Sequence, residues 1–324
     1  MKKVGYIVVM LVLIVGMSAF AAGDREAAAA EGEFRVAVAM SPMNNPFHRT
    51  LYRFFEEEIE RAPANFRFRF YFSDSTDVQV NNMEVILAGN YDGVIISTHD
   101  GNVMAGPAER IRRAGAKTVV VNRGLNTDEW DAYVTGDNVG GGENIARYMG
   151  EYLNGEGNVY VLGLAVGTPL FNDRMSGFER VMREEFPNIR ILGVSEGTNT
   201  IEGGFNAMEN VLQAHPTIHA VYSHDPFGAM GQEQAINNAG RTDVRLIMSF
   251  APDQSVVDHM RANPDTIFRG NVAYPPAMSA EAVRVMVRLL QGEEVPRETI
   301  MSAELMLIED LDEWADTVPS VTGR

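Results

Sequence analysis

The chain has 324 residues, with 27 Lys and Arg against 44 Asp and Glu, and no cysteine. A formal net charge of −17 repels phosphate backbones and anionic membranes, which disfavours nucleic acid as a partner. Without cysteine there is no lipobox, disulfide or thiol nucleophile, and the length exceeds what one ordinary hydrophobic core fills, so two lobes are expected.

At the start, Lys2 and Lys3 precede an apolar run from Val4 to Phe20, followed by the A-x-A-like Ala19-Phe20-Ala21. The run is short for a bilayer span and predicts a secretory signal peptide cleaved near Ala21, hence a periplasmic protein. Residues 22–32, rich in Ala and Glu, predict a flexible leader.

From Phe34 onward short apolar runs alternate with helix-period segments, the pattern of an α/β protein whose parallel sheets carry helices on both faces. Strands are predicted near 34–40, 66–73, 93–97, 117–122, 158–164, 189–194, 218–223, 244–249 and 267–272, with helices between them. Phe47, Leu51, Phe54, Phe55 and Ile59 fall on one helical face, as do Ile145, Met149, Tyr152 and Leu153, and both stripes predict core. Strict alternation in Phe66-Arg67-Phe68-Arg69-Phe70 predicts an edge strand. An internal echo spaced about 125 residues apart joins Met83-Glu84 and Ser97-Thr98-His99-Asp100 to Met208-Glu209 and Tyr222-Ser223-His224-Asp225, as though one βαβ element served each lobe. Both His-Asp pairs then fall at the carboxyl end of a strand, where open α/β sheets bind ligands.

The candidate chemistry gathers at those edges. Asn45 is placed to cap a helix with Pro46 at its first position, and Phe47 and His48 follow. Asn122-Arg123 ends the fourth strand and Arg174 opens a helix, where guanidiniums give forked hydrogen bonds to hydroxyls or a carboxylate. Asp100 and Asp225 each precede a helix and have N-cap positions. Two other function classes are carried by weaker signals. Gly193-Val194-Ser195-Glu196-Gly197 matches a hydrolase nucleophile elbow, which requires an immediate strand-turn-helix. His99 and His224 offer imidazoles for a metal-binding receptor, without any H-x-x-x-H or H-E-x-x-H spacing. Gly140-Gly141-Gly142 fits neither a dinucleotide fingerprint nor a P-loop, so no cofactor is expected.

Met40 to Phe47 (M-S-P-M-N-N-P-F), Asn122-Arg123, Gly136-Asp137-Asn138, Arg174 with Gly177-Phe178, and Ala214-His215-Pro216 occur in an order that resembles the periplasmic ribose-binding protein family, from about Phe34 to Ile308. The resemblance implies two doubly wound lobes joined by three crossings, closing over a monosaccharide in the cleft. Lobes of 33–136 plus 274–302 and of 137–273 plus 303–324 follow from it. It implies no enzymatic activity. It also implies a monomer that delivers its ligand to the membrane permease of an ABC importer, with a chemoreceptor as candidate second partner. Its contact positions fall on Ser41, Asn45, Phe47, His48, Ser97, Asn122, Arg123, Arg174, Asn199, His224, Phe250, Ala251 and Ala273. The departures are specific. The family pattern carries carboxylates at the positions of Asn122 and Ala251, an asparagine at His224, a glutamine at Ala273, and aromatic rings at His48 and Asn199. Ribose itself is therefore not the expected ligand, and a sugar acid competes with a neutral hexose. Sugar-responsive repressors share the fold but begin with a DNA-binding helix-turn-helix, where this chain has its apolar leader.

Overall fold

The computed structural model describes residues 32–43, 45–164 and 166–314; the expected signal peptide and most of the leader lie outside them. The chain runs through β1 (Phe34–Ala39), α1 (Pro46–Ile59), β2 (Phe66–Tyr71), α2 (Thr76–Ala88), β3 (Gly93–Ile96), α3 (Gly101–Arg113), β4 (Lys117–Val121) and β5 (Ala132–Gly136). It continues as α4 (Asn138–Tyr152), β6 (Glu156–Gly163), α5 (Pro169–Glu185), β7 (Asn188–Glu196), α6 (Ile201–Ala214), β8 (Ala220–Ser223), α7 (Pro226–Asn238), β9 (Leu246–Phe250), α8 (Gln254–Ala262) and β10 (Phe268–Ala273). Then follow α9 (Met278–Leu290), β11 (Glu298–Met301), β12 (Glu304–Leu307) and α10 (Leu311–Trp314).

The strands form two six-stranded sheets, ordered β2-β1-β3-β4-β5-β11 and β7-β6-β8-β9-β10-β12. All neighbours are parallel except the antiparallel pair β10 and β12. Val36, Val38, Ile95 and Val119 are fully buried, as are Val94, Ile96 and Val120 on the opposite face, because helices cover both sides of the first sheet. Each sheet has the doubly wound order that leaves a crevice beyond the carboxyl ends of its strands.

Three crossings join the sheets. The chain leaves the first sheet after β5 for α4, returns after β10 through α9, and crosses again between β11, the edge strand beside β5, and β12, the edge strand beside β10. Helix α9 packs on α1 and on β3 to β5, where Ser279 Oγ donates to the Leu51 carbonyl at 2.8 Å. The internal echo is structural: α2-β3-α3 and α6-β8-α7 repeat one unit, and Asp100 and Asp225 cap the second helix of each.

Several expectations need correction. β5, β11 and β12 were not among the predicted strands, and the last two are short edge strands whose residues are mostly exposed or half-buried. Tyr152 leaves its core stripe: it is 39% exposed and its hydroxyl donates to the Arg245 carbonyl at 3.1 Å. β2 does occupy the edge of its sheet, with Arg67 and Arg69 exposed and Phe66 buried.

Candidate functional site

The first sheet supplies one wall of a cavity. Asn45 caps α1, its Oδ1 accepting from the Phe47 amide at 2.8 Å, and Pro46 fills the first helical position, where no amide hydrogen is needed. That geometry sends Phe47 and His48 toward the cleft from the first turn. His48 Nδ1 lies 2.9 Å from the Pro42 carbonyl, which can only accept, so Nδ1 carries the proton and Nε2 is left as an acceptor. Burial, aided by the charge of Arg123, lowers the His48 pKa to about 3 and keeps the ring neutral. Beyond β4 the backbone turns left-handed at Asn122, with φ 71°, and the Tyr133 and Thr135 hydroxyls donate to its carbonyl at 2.9 and 3.0 Å. The turn delivers Arg123 to the cleft, where Nη1 donates to the His99 carbonyl at 2.8 Å.

The facing wall comes from the second sheet. Arg174 on α5 is 3% exposed; Nε donates to Asn138 Oδ1 at 3.1 Å and Nη1 to the His224 carbonyl at 2.9 Å. Its guanidinium lies 3.9 Å over the Phe250 ring and 5.3 Å from that of Tyr274. His224 follows β8 directly and lies among the rings of Tyr222 and Phe171, at 4.6 and 5.4 Å, and neither of its ring nitrogens has a partner among the described residues. Burial and the charge of Arg174 hold it neutral, well below the ordinary histidine range. Asp225 caps α7, its Oδ1 accepting from the Phe227 and Gly228 amides at 2.9 and 3.1 Å. Desolvation pushes its pKa up to about 6 against those bonds and the two arginines. Asp253 caps α8 in the same way.

Asn45, Phe47, His48, Asn122, Arg123, Arg174, His224 and Ala251 thus line one cavity between the lobes. The other expected contacts do not. Ser41 Oγ donates to the Ser97 and Thr98 carbonyls at 2.8 and 3.0 Å, so Ser41 and Ser97 form a buried lock inside the first lobe. Phe250 is fully buried as the platform beneath Arg174 rather than a wall of the cavity. Asn199 lies exposed in the loop before α6, and Ala273 is taken up in pairing with Glu304.

Sequence reasoning missed Tyr274, which lines the cavity and sits on two crossings at once. Its hydroxyl is 2.9 Å from Thr135 Oγ1 and accepts from Asn138 Nδ2 at 3.1 Å, which ties β5 and the start of α4 to the end of β10. A side chain at Gly136 would overlap its ring. The available signal was an aromatic residue immediately after a strand at a predicted crossing.

The two weaker function classes find no built site. Ser195 stays inside β7, paired in register with Leu162, and α6 begins only at Ile201, so no nucleophile elbow forms. His99 Nδ1 lies 2.6 Å from Thr76 Oγ1, and no three His, Asp or Glu side chains among the described residues converge to hold a metal.

Known proteins of the same build exist. The ribose import binding protein RbsB of Bacillus subtilis is 26% identical over 276 residues, covering 85% of this chain and 87% of that protein. Its counterpart from Salmonella typhimurium is 23% identical over 292 residues, covering 90% and 96%. The crystal structure of an ABC transporter solute binding protein from Agrobacterium vitis with bound allitol superposes with a TM-score of 0.80 at 22% identity, covering 89% of this chain and all of that one, a likeness of fold. Residues 36–294 match the periplasmic binding protein domain, and with that share of its length matched the chain belongs to the periplasmic binding protein family.

Proposed function

We propose that this protein is an exported substrate-binding protein of an ABC importer, which closes over a monosaccharide or related sugar derivative and delivers it to the membrane permease. The observation that carries the reading is a cavity lined from both lobes, Asn45, Phe47 and Arg123 on one side and Arg174 and His224 on the other. Buried donors and an unpartnered imidazole at the carboxyl edges of two sheets suit a small polyhydroxylated ligand, whose hydroxyls both donate and accept. Curated relatives add support, being named for import or binding of ribose, D-apiose, xylitol and D-allose. Under this reading the lobes divide as 33–136 plus 274–302 and 137–273 plus 303–324. The first 21 residues are the export signal, and the receptor works as a monomer with no catalytic step. A chemoreceptor is the candidate second partner of the closed form.

Native mass spectrometry of protein purified from its own cells tests it: a bound species of monosaccharide mass, released unchanged on denaturation, is expected. Conversion of the released compound, or a tightly held nucleotide or metal in its place, refutes the assignment.

A further inference from the structure

The cavity holds two guanidinium charges and no carboxylate that pairs with them. Among the described residues neither Arg123 nor Arg174 has an acidic oxygen within 4.0 Å; their bonds go to the His99 and His224 carbonyls and to Asn138 Oδ1. The acidic side chains that line the cavity are committed elsewhere. Asp225 and Asp253 each use Oδ1 to accept two backbone amides at the start of α7 and α8. Two further helices, α1 and α5, begin at the same cavity, and their caps, Asn45 and Thr168, are uncharged. Each helix N-terminus carries about half a positive charge, so two arginines and four helix starts set against two carboxylates leave an excess of about two positive charges. His224, 2% exposed and with both ring nitrogens unpartnered, faces the same space as a neutral group and offsets none of it. Burial and the like charge of Arg174 pull the Arg123 pKa down, against the more distant charges of Asp225 and Asp100, neither of which pairs with the guanidinium directly.

We infer that the ligand carries a carboxylate, an aldonic or uronic acid or a similar carboxylated polyol, whose acid group lies between Arg123 and Arg174. This rests on the sugar-receptor reading and narrows it. A neutral polyol satisfies guanidinium N–H donors through its hydroxyl oxygens but leaves the buried charge uncompensated, whereas a carboxylate matches the guanidinium fork in geometry and in sign. Neutral His48 and His224 then serve the hydroxyls, His48 as acceptor through Nε2.

Thermal-shift screening followed by titration calorimetry decides it, with the purified full chain and a panel of acids each paired with its neutral counterpart: D-gluconate with D-glucitol, D-galacturonate with D-galactose, and the pentonates with their pentitols. At least one acid is expected to raise the melting temperature and to bind at least about 100-fold more tightly than its neutral partner, with affinity falling as salt rises. Arg123→Gln is expected to bring that ratio close to one, and Arg123→Lys, which keeps the charge and loses the fork, to fall between. The melting temperature of each unliganded variant reports whether it folds. Binding of neutral sugars with their acids inactive overturns the inference and leaves the receptor assignment standing, as does an acid affinity unchanged in Arg123→Gln. A panel in which neither class binds at millimolar concentration overturns both.

Discussion

Asp225 shows how one side chain is pulled between fold and site. Its Oδ1 caps α7, which favours the ionised form, yet burial outweighs that and raises the pKa from 3.8 to about 6. The native state therefore holds this proton more tightly than the unfolded chain does. The group's contribution to stability is fully present below about pH 4, declines as pH rises toward 6, and is lost above it. Asparagine caps about as well as aspartate and carries no charge. Asp225→Asn is accordingly expected to be more stable than the parent at pH 8, by on the order of 2 kcal/mol, with the difference vanishing near pH 4. Calorimetric melts at pH 4, 6 and 8 measure it. A variant less stable than the parent at pH 8 would mean that the carboxylate is needed to balance Arg174 and Arg123. His48 and His224 are both held neutral, which leaves Asp225 as the shifted cavity-lining group whose charge changes between pH 5 and 8.

At the scale of elements, the position of Arg174 depends on how closely α5 lies on α4. Gly177 faces the Val139 carbonyl and Gly142 the Arg174 carbonyl, each so near that a Cβ would overlap backbone. Gly177→Ala must push the helices apart, at a cost of about 1–3 kcal/mol, and should weaken ligand binding because Arg174 rides on the displaced helix. Gly106 in α3 is the control: it is exposed, and an added Cβ approaches only Arg110 Nη1, at 3.9 Å. Pro107 follows, and its ring crowds a Cβ on the residue before it, which offsets the helix-propensity gain, so Gly106→Ala is expected to stay within about 1 kcal/mol of the parent in stability and to leave binding alone. Urea titrations of both variants, with binding measured in parallel, check the contrast; equal effects would deny α5 its positioning role. The same scale explains what sequence patterning reveals. Strands such as Val94-Ile95-Ile96 and Val119-Val120-Val121 are legible because burial on both faces demands unbroken apolar runs. β11 and β12 are not, because Glu298-Thr299-Ile300-Met301 becomes a strand only by pairing with β5, far away in the chain. In the site, residues anchored by caps and strand ends, Asn45, Asn122 and Arg123, lie where the pattern puts them. Phe250 does not, because the last residue of a buried strand turns its ring into the core while Ala251, at φ 58°, reaches the cavity.

Across the whole molecule, the cavity exists because two separately wound sheets face each other over three crossings. Tyr274 links that hinge to the site: its hydroxyl bonds to Thr135 and Asn138, and Asn138 in turn accepts from Arg174. A ligand that engages Arg123 from one lobe and Arg174 from the other is satisfied only when the lobes are together, so binding shifts the population toward the closed form through differential affinity. Small-angle X-ray scattering tests this most directly, on the unliganded protein and on protein saturated with the compound that raises its melting temperature. A smaller radius of gyration and a shorter maximum dimension are expected at saturation. An unchanged profile, with calorimetry showing the site full, would contradict closure over a ligand held between the two lobes.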